Sequence, residues 1–174
     1  MAHKEQQQFC NKIKKLKLNH FIGKTVLDVG SLNINGHNRG LFSGCFYIGI
    51  DLQGGENVDV ISSGHEFKPD ILFDTIISTE ALEHDKHYKE TLQNLVKLLK
   101  GGGLLLITCA TTGRAEHGTK RSRPEDSPFT LDYYRNLTEE DFRGAIEIDA
   151  IFKEYSFEIN HSSKDLYFYG VKND

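Results

Sequence analysis

Three cysteines, one methionine and no tryptophan occur among 174 residues, and no apolar run approaches the roughly 18 residues that cross a bilayer. That shortage argues against a membrane span. The polar start Met1-Ala-His-Lys-Glu-Gln-Gln-Gln8 is no secretory signal. Cys10, Cys45 and Cys109 are odd in number and lack C-x-x-C spacing, which excludes a disulfide framework. They read as free thiols in a reducing cytoplasm, Cys45 and Cys109 in or beside a sheet. Charge is scarce in the net: 21 Lys and Arg against 25 Asp and Glu leave −4, no global attraction for nucleic acid. There is no internal repeat and no low-complexity tract. The length suits one domain spanning 1–174 with a sizeable core.

What is present begins with Val26-Leu27-Asp28-Val29-Gly30-Ser31. Thr25 to Val29 reads as a short buried strand, and Gly30 marks the sharp turn that leaves it. From Ser31 to Gly36 the loop is small and polar, so its backbone N–H groups can approach a ligand. Tyr47 to Ile50 is a second apolar run, and it places Asp51 23 positions after Asp28. A carboxylate at the tip of the second strand is where doubly wound folds hold the two hydroxyls of a ribose. The dinucleotide fingerprint G-x-G-x-x-G fails after Gly30, because Leu32 stands where its second glycine would follow and Asn33 brings none.

Further strands are expected at 57–61, 72–78 and 103–109, with helices between strands. Residues 5–20 predict a helix with Phe9, Ile13, Leu16 and His20 along one face. Tyr88, Leu92, Leu95, Val96 and Leu99 keep helical spacing, so 86–100 predicts an amphipathic crossover ended by Gly101. Only a turn, Gln53 to Asn57, separates the second and third strands. The expected fold class is α/β: a Rossmann-like, doubly wound, mainly parallel sheet of seven strands covered on both faces. Thr138-Glu139-Glu140-Asp141 is a helix-start signature. Phe157 and Asp165–Lys172 then predict a C-terminal antiparallel hairpin around Asn160-His-Ser-Ser. The expected organisation is an N-terminal helix in 1–22, a ligand-binding half in 23–110, a lid in 111–138 and a closing helix and hairpin in 139–174. The lid reading follows from the length and polarity of 111–138, with Gly113, Gly118, Pro124 and Pro128.

Taken together, Asp28-Val29-Gly30, Tyr47-Ile-Gly-Ile-Asp51, Gly64-His65-Glu66, Phe73 to His84 and Gly101 to Thr108 resemble, in order, five segments of the class I S-adenosylmethionine-dependent methyltransferases. The resemblance runs from about Thr25 to the C-terminus. The commoner family loop has glycines where this chain has Leu32 and Ile34, and Asn35-Gly36 supplies the open turn instead. The resemblance implies S-adenosylmethionine as cofactor and S-adenosylhomocysteine as product. It implies Asp28 near the amino-acid half, Asp51 and Leu52 at the ribose, Gly64 and His65 beside the adenine, and Gly30, Ser31, Asn35, Gly36 and Thr79 lining the remainder.

Glu80-Ala-Leu-Glu83-His84 is the sharper constellation. If the segment is helical, positions i, i+3 and i+4 share one face. Glu80, Glu83 and His84, with His117 as a fourth ligand, could then hold a divalent metal that activates a substrate hydroxyl. Two metal-using branches of the family carry a similar Glu-x-x-Glu-His, while relatives without metal use the histidine as base or cleft residue. Glu80 and His84 are thus the catalytic candidates, with the metal, base and structural roles left open. In the long loop, Tyr133, Tyr134 and Arg135, with Arg114, Lys120, Arg121 and Arg123, suggest a lid facing a polar or anionic acceptor, or else a solvated loop. His37 and Arg39 could reach the cofactor carboxylate or lie on the surface. The expected activity is O-methylation of a hydroxyl on a small molecule or glycan. RNA 2′-O-methylation is an alternative that lacks a basic, aromatic platform, and a non-catalytic cofactor-binding module is another.

Overall fold

A computed structural model describes residues 4–130 and 132–174. Its core is one seven-stranded sheet: β1 Thr25–Val29, β2 Phe46–Asp51, β3 Val60–Ile61, β4 Phe73–Thr79, β5 Leu99–Ala110, β6 Phe152–Asn160 and β7 Asp165–Lys172. The spatial order is β3-β2-β1-β4-β5-β7-β6. The first five strands run parallel, and β7 lies antiparallel to both β5 and β6. The mainly parallel seven-stranded sheet with its C-terminal antiparallel pair is therefore observed.

Side-chain alternation explains the two layers. Leu27, Ile76, Leu105 and Ile107 point into one apolar cluster; Val26, Ile77, Leu104 and Leu106 point into the other. Strands buried on both faces read as continuous apolar runs, as these do. Helix α1 (Lys4–Leu16) covers the second cluster with Phe9, Cys10 and Ile13. Helix α2 (Tyr88–Leu98) covers the first with Tyr88, Leu92, Leu95 and Leu98, beside α3 (Glu139–Arg143) and α4 (Ile148–Ile151). Thr138 caps α3 through a capping box with Asp141, as its sequence signature predicts.

Several boundaries differ from expectation. The α1 helix stops at Leu16, and His20 belongs to a separate 3-10 turn, Leu18–His20. Strand β3 keeps only two residues, because Asn57 adopts φ +74 and prolongs the preceding turn. The β1–β2 connection holds only a 3-10 turn, Arg39–Leu41. Its four glycines, Gly30, Gly36, Gly40 and Gly44, and its three asparagines are poor helix formers. Among the described residues the β3–β4 connection has no helix either. Helix α2 ends at Leu98 rather than at Gly101, and β5 follows without a linker. Phe73 pairs with Leu99 but Thr75 with Leu104, so Lys100–Gly103 bulges out, with Gly102 at φ +69. Lys172 Nζ donates to the Val96 and Leu99 carbonyls, both at 2.7 Å, and so caps the end of α2.

Candidate functional site

Strand order reverses between β1 and β4, and ligands of open α/β sheets bind outside the carboxyl ends of strands at such a point. A cavity of about 420 Å³ opens there. All ten residues expected at the cofactor line it: Asp28, Gly30 and Ser31 from the β1 exit, Asn35 and Gly36 from the loop, Asp51 and Leu52 from β2, and Gly64, His65 and Thr79 beyond. Gly30 has φ +79, and a Cβ there would sit 2.4 Å from the Ala81 Cβ. Only glycine lets the turns leaving β1 and β4 cross this closely.

Asp28 is fully buried. Tyr47 Oη donates to its Oδ2 at 2.5 Å, and Asn38 Nδ2 donates to Oδ1 at 3.2 Å. Burial raises the carboxyl to about 6, opposed by those two donors. The Tyr47 phenol is itself pushed far up by burial and by Asp28, so it stays a donor. Asn38 Nδ2 also reaches Thr79 Oγ1 at 2.9 Å, tying the loop to β4. Asp51 accepts from Leu52 N at 2.7 Å and Leu32 N at 3.0 Å, while burial raises its carboxyl. The His65 ring packs on His87 with centroids 4.3 Å apart. Asn38 and His87 carried no signal of their own in the sequence, and Tyr47 only as part of an apolar run. They matter only because the fold folds them onto residues that did.

Glu80 and His84 line the same cavity, but the segment between them is not a helix. Glu80 has φ +53, and a 3-10 turn, Leu82–His84, follows. Glu80, Glu83 and His84 therefore do not share a helix face. Thr108 Oγ1 donates to Glu80 Oε1 at 2.9 Å, holding that carboxylate against β5. Glu83, His84 and His117 instead converge, their donor atoms all within 4.8 Å of one another. The cation set that fits is thus these three, without Glu80.

Their chemistry agrees. Glu83 is completely buried and neither carboxylate oxygen has a hydrogen-bond partner of ordinary geometry; His84 Nδ1 and His117 Nε2 are equally unpartnered. His117 Nδ1 lies 3.1 Å from the Ala115 carbonyl, which fixes the proton there and leaves Nε2 as a lone pair. Burial and then the His117 ring push His84 down to about 3; burial likewise lowers His117. Both imidazoles are neutral. Buried polar atoms that converge without a hydrogen bond of ordinary geometry are satisfied by a divalent cation or by a proton on Glu83. Burial, then the Glu80 carboxylate, raise Glu83 well above the glutamate range, as the second case requires.

That shift has a sign. A native state that keeps the Glu83 proton gains stability that is whole below the ordinary glutamate range and is lost as pH rises through the raised value. In EDTA-treated protein Glu83→Gln is expected to outstabilise the parent by about 1–3 kcal/mol at pH 9 and by much less at pH 4.5, read as paired melting curves. A gap independent of pH would contradict the protonated assignment.

Tyr133, Tyr134 and Arg135 do not line the cavity; Asp126 to Thr130 of the same loop do, with Phe129 at the mouth. The Tyr134 ring packs on His117 and His84 from behind, at 4.9 and 5.5 Å. Arg135 bonds Asp141 at 2.5 Å over the Tyr88 ring, Arg114 bonds Asp165 at 3.2 Å, and Arg121 bonds Glu116 at 2.8 Å. These guanidiniums face acids of the protein rather than an acceptor. Among the described residues Lys86 is the one Lys or Arg that lines the cavity.

A nucleoside-sized crevice at the switch point of a 3-2-1-4-5-7-6 sheet, with an acid near the carboxyl end of β1 and another ending β2, defines a class I methyltransferase fold. A family model described as a methyltransferase domain matches residues 1–159, and the chain belongs to that family, S-adenosylmethionine-dependent enzymes of class I. Solved structures agree in fold. N-methyltransferase NodS from Bradyrhizobium japonicum WM9 is 15% identical, with 97% of each chain covered and a TM-score of 0.63. The 1,6-didemethyltoxoflavin-N1-methyltransferase of Burkholderia thailandensis, with its substrate and S-adenosylhomocysteine bound, is 19% identical over 97% of this chain and 79% of that one, TM-score 0.66. A methyltransferase of Haloferax volcanii, in complex with the activator Trm112, is 14% identical with full coverage of both chains, TM-score 0.59. No curated protein matches the chain in sequence. No helix among the described residues is long and apolar enough to cross a membrane.

Proposed function

We propose that the protein methylates a hydroxyl of a small polar molecule or glycan, held beneath Asp126–Thr130 against Glu80 and His84. The observation that carries this is the pair of acids, Asp28 and Asp51, opening on one cavity that Glu80 and His84 also line. In this reading Asp51 and the Leu32 and Leu52 amides frame the ribose, Asp28 faces the amino-acid end, and His65 borders the adenine. The bound cofactor supplies an electrophilic methyl carbon for in-line displacement, with a neutral thioether as leaving group. The chain's task is alignment and exclusion of water.

An imidazole held near 3 is a weak base, so His84 alone does little to deprotonate an alcohol. A divalent cation on Glu83, His84 and His117 would meet that need by lowering the pKa of a bound hydroxyl. The unpartnered donor atoms support this assignment. Metal analysis of purified protein is expected to find about one equivalent, and EDTA to abolish turnover; metal-free, fully active protein would leave the proton on Glu83 as the answer. The anionic acceptor suggested by the loop's basic residues loses the support of Arg114, Arg121 and Arg135, whose side chains are paired with acids of the protein.

The test of the whole reading is incubation with methyl-labelled S-adenosylmethionine and a pool of cell metabolites, with products resolved by mass spectrometry. A labelled methyl ether is the expected result. Binding of S-adenosylhomocysteine without any labelled product would identify a binding module instead. Transfer to RNA, with a salt-sensitive complex, would favour the polynucleotide alternative.

A further inference from the structure

The loop from Ser31 to Asn38 has neither the glycines nor the following helix that commonly hold such a loop against a ligand. It is nevertheless held, and the holding groups come from the far side of β2. Asn57, at the end of the β2–β3 turn, donates from Nδ2 to the Ser31 carbonyl at 2.9 Å, and its own carbonyl accepts from Ser31 Oγ at 3.1 Å. Its Oδ1 accepts from Arg39 Nε at 2.7 Å. Arg39 Nη2 continues to Asp59 Oδ2 at 2.5 Å, and the same carboxylate oxygen accepts from Gly49 N at 2.7 Å. The Arg39 guanidinium also lies 4.4 Å from the centre of the Tyr47 ring, whose hydroxyl grips Asp28.

These bonds form one strut with two ends: through Ser31 it sets the loop, and through Tyr47 it sets Asp28. Three details argue that the strut is built rather than incidental. Asn57 occupies φ +74, a left-handed conformation that few residues other than glycine and asparagine adopt. Gly49 has no room for a Cβ, which would fall 2.3 Å from the Asn57 carbonyl oxygen and 2.6 Å from Ser31 Oγ. Neither Asn57 nor Arg39 lines the ligand cavity, so neither is placed there by contact with the ligand.

We infer that Asn57 and Arg39 are positioning residues that preorganise the Ser31–Asn38 loop and Asp28 for the amino-acid end of the cofactor. The inference rests on the cofactor reading above. It makes a distinction that a merely structural role does not. Adenosine carries the ribose and adenine but lacks the amino-acid end, so its binding draws on the strut only through the Ser31–Leu32 peptide, whose amide bonds Asp51, whereas that of S-adenosylhomocysteine draws on both ends.

The experiment is calorimetry with both compounds on the wild type, Asn57→Gly and Arg39→Met. Glycine suits the backbone at 57 and removes only the side chain. Both variants are expected to weaken S-adenosylhomocysteine at least tenfold, to weaken adenosine several-fold less than that, and to keep a cooperative melt near that of the wild type. Should one variant fold poorly, the other carries the comparison. Unchanged affinity for S-adenosylhomocysteine, or equal losses for the two compounds, would overturn the inference. A wild type that binds neither would overturn the cofactor reading instead, so the two failures are told apart.

Discussion

Asp51→Ala is expected to raise the dissociation constant of S-adenosylhomocysteine by about ten- to a hundredfold, the equivalent of about 1–3 kcal/mol for lost charged hydrogen bonds. The carboxylate ends β2 at the cavity wall, with one oxygen on the Leu52 amide and the other on the Leu32 amide. Each oxygen retains a further lone pair, which suits two adjacent hydroxyls. Alanine removes the ribose contacts and also leaves the Leu32 amide without its partner, so the effect is large. Asp51→Asn keeps one acceptor oxygen and should fall between. Titration calorimetry measures both, and an alanine variant that binds as tightly as wild type would displace the ribose from this position.

The second large effect is on chemistry. His84→Ala is expected to lower turnover about a hundredfold or more while the S-adenosylhomocysteine affinity stays within roughly threefold, the scale of a lost acid–base or activating group. His84 follows β4, which β1 separates from Asp51 at the end of β2, and its ring shares a buried cluster with Glu83 and His117. Single-turnover measurement with saturating donor isolates the step. Loss of cofactor affinity with turnover intact would assign His84 to the donor side and remove it from the reaction.

What could be read beforehand followed from periodicity. Each face of the sheet is written as alternate residues of short apolar runs, so β1, β2, β4 and β5 were legible, and the two acids marked the carboxyl ends of β1 and β2. The Leu82–His84 turn was not legible, because Glu, Ala, Leu and His all tolerate a helix; the left-handed backbone at Glu80 decides the matter and is set by packing against β5. The end of α2 misled for a related reason. Gly101–Gly103 resembles a helix stop, yet those glycines serve a bulge inside a strand. Within the long loop composition named the covering element but not its inward part. Phe129 and its neighbours line the cavity while Tyr134 backs the histidines, a choice made by tertiary contacts alone.

Cys10 and Cys109 lie in the two opposite apolar layers, both with no exposed surface. Burial pushes the Cys10 thiol up to about 12 and raises Cys109 well above the ordinary thiol range, so neither offers a thiolate while its layer is closed. Their alkylation rates therefore time two separate events, the lifting of α1 from one side of the sheet and the opening of the α2 side. The molecule carries its own pair of stopwatches for asking whether its halves come apart together or in turn.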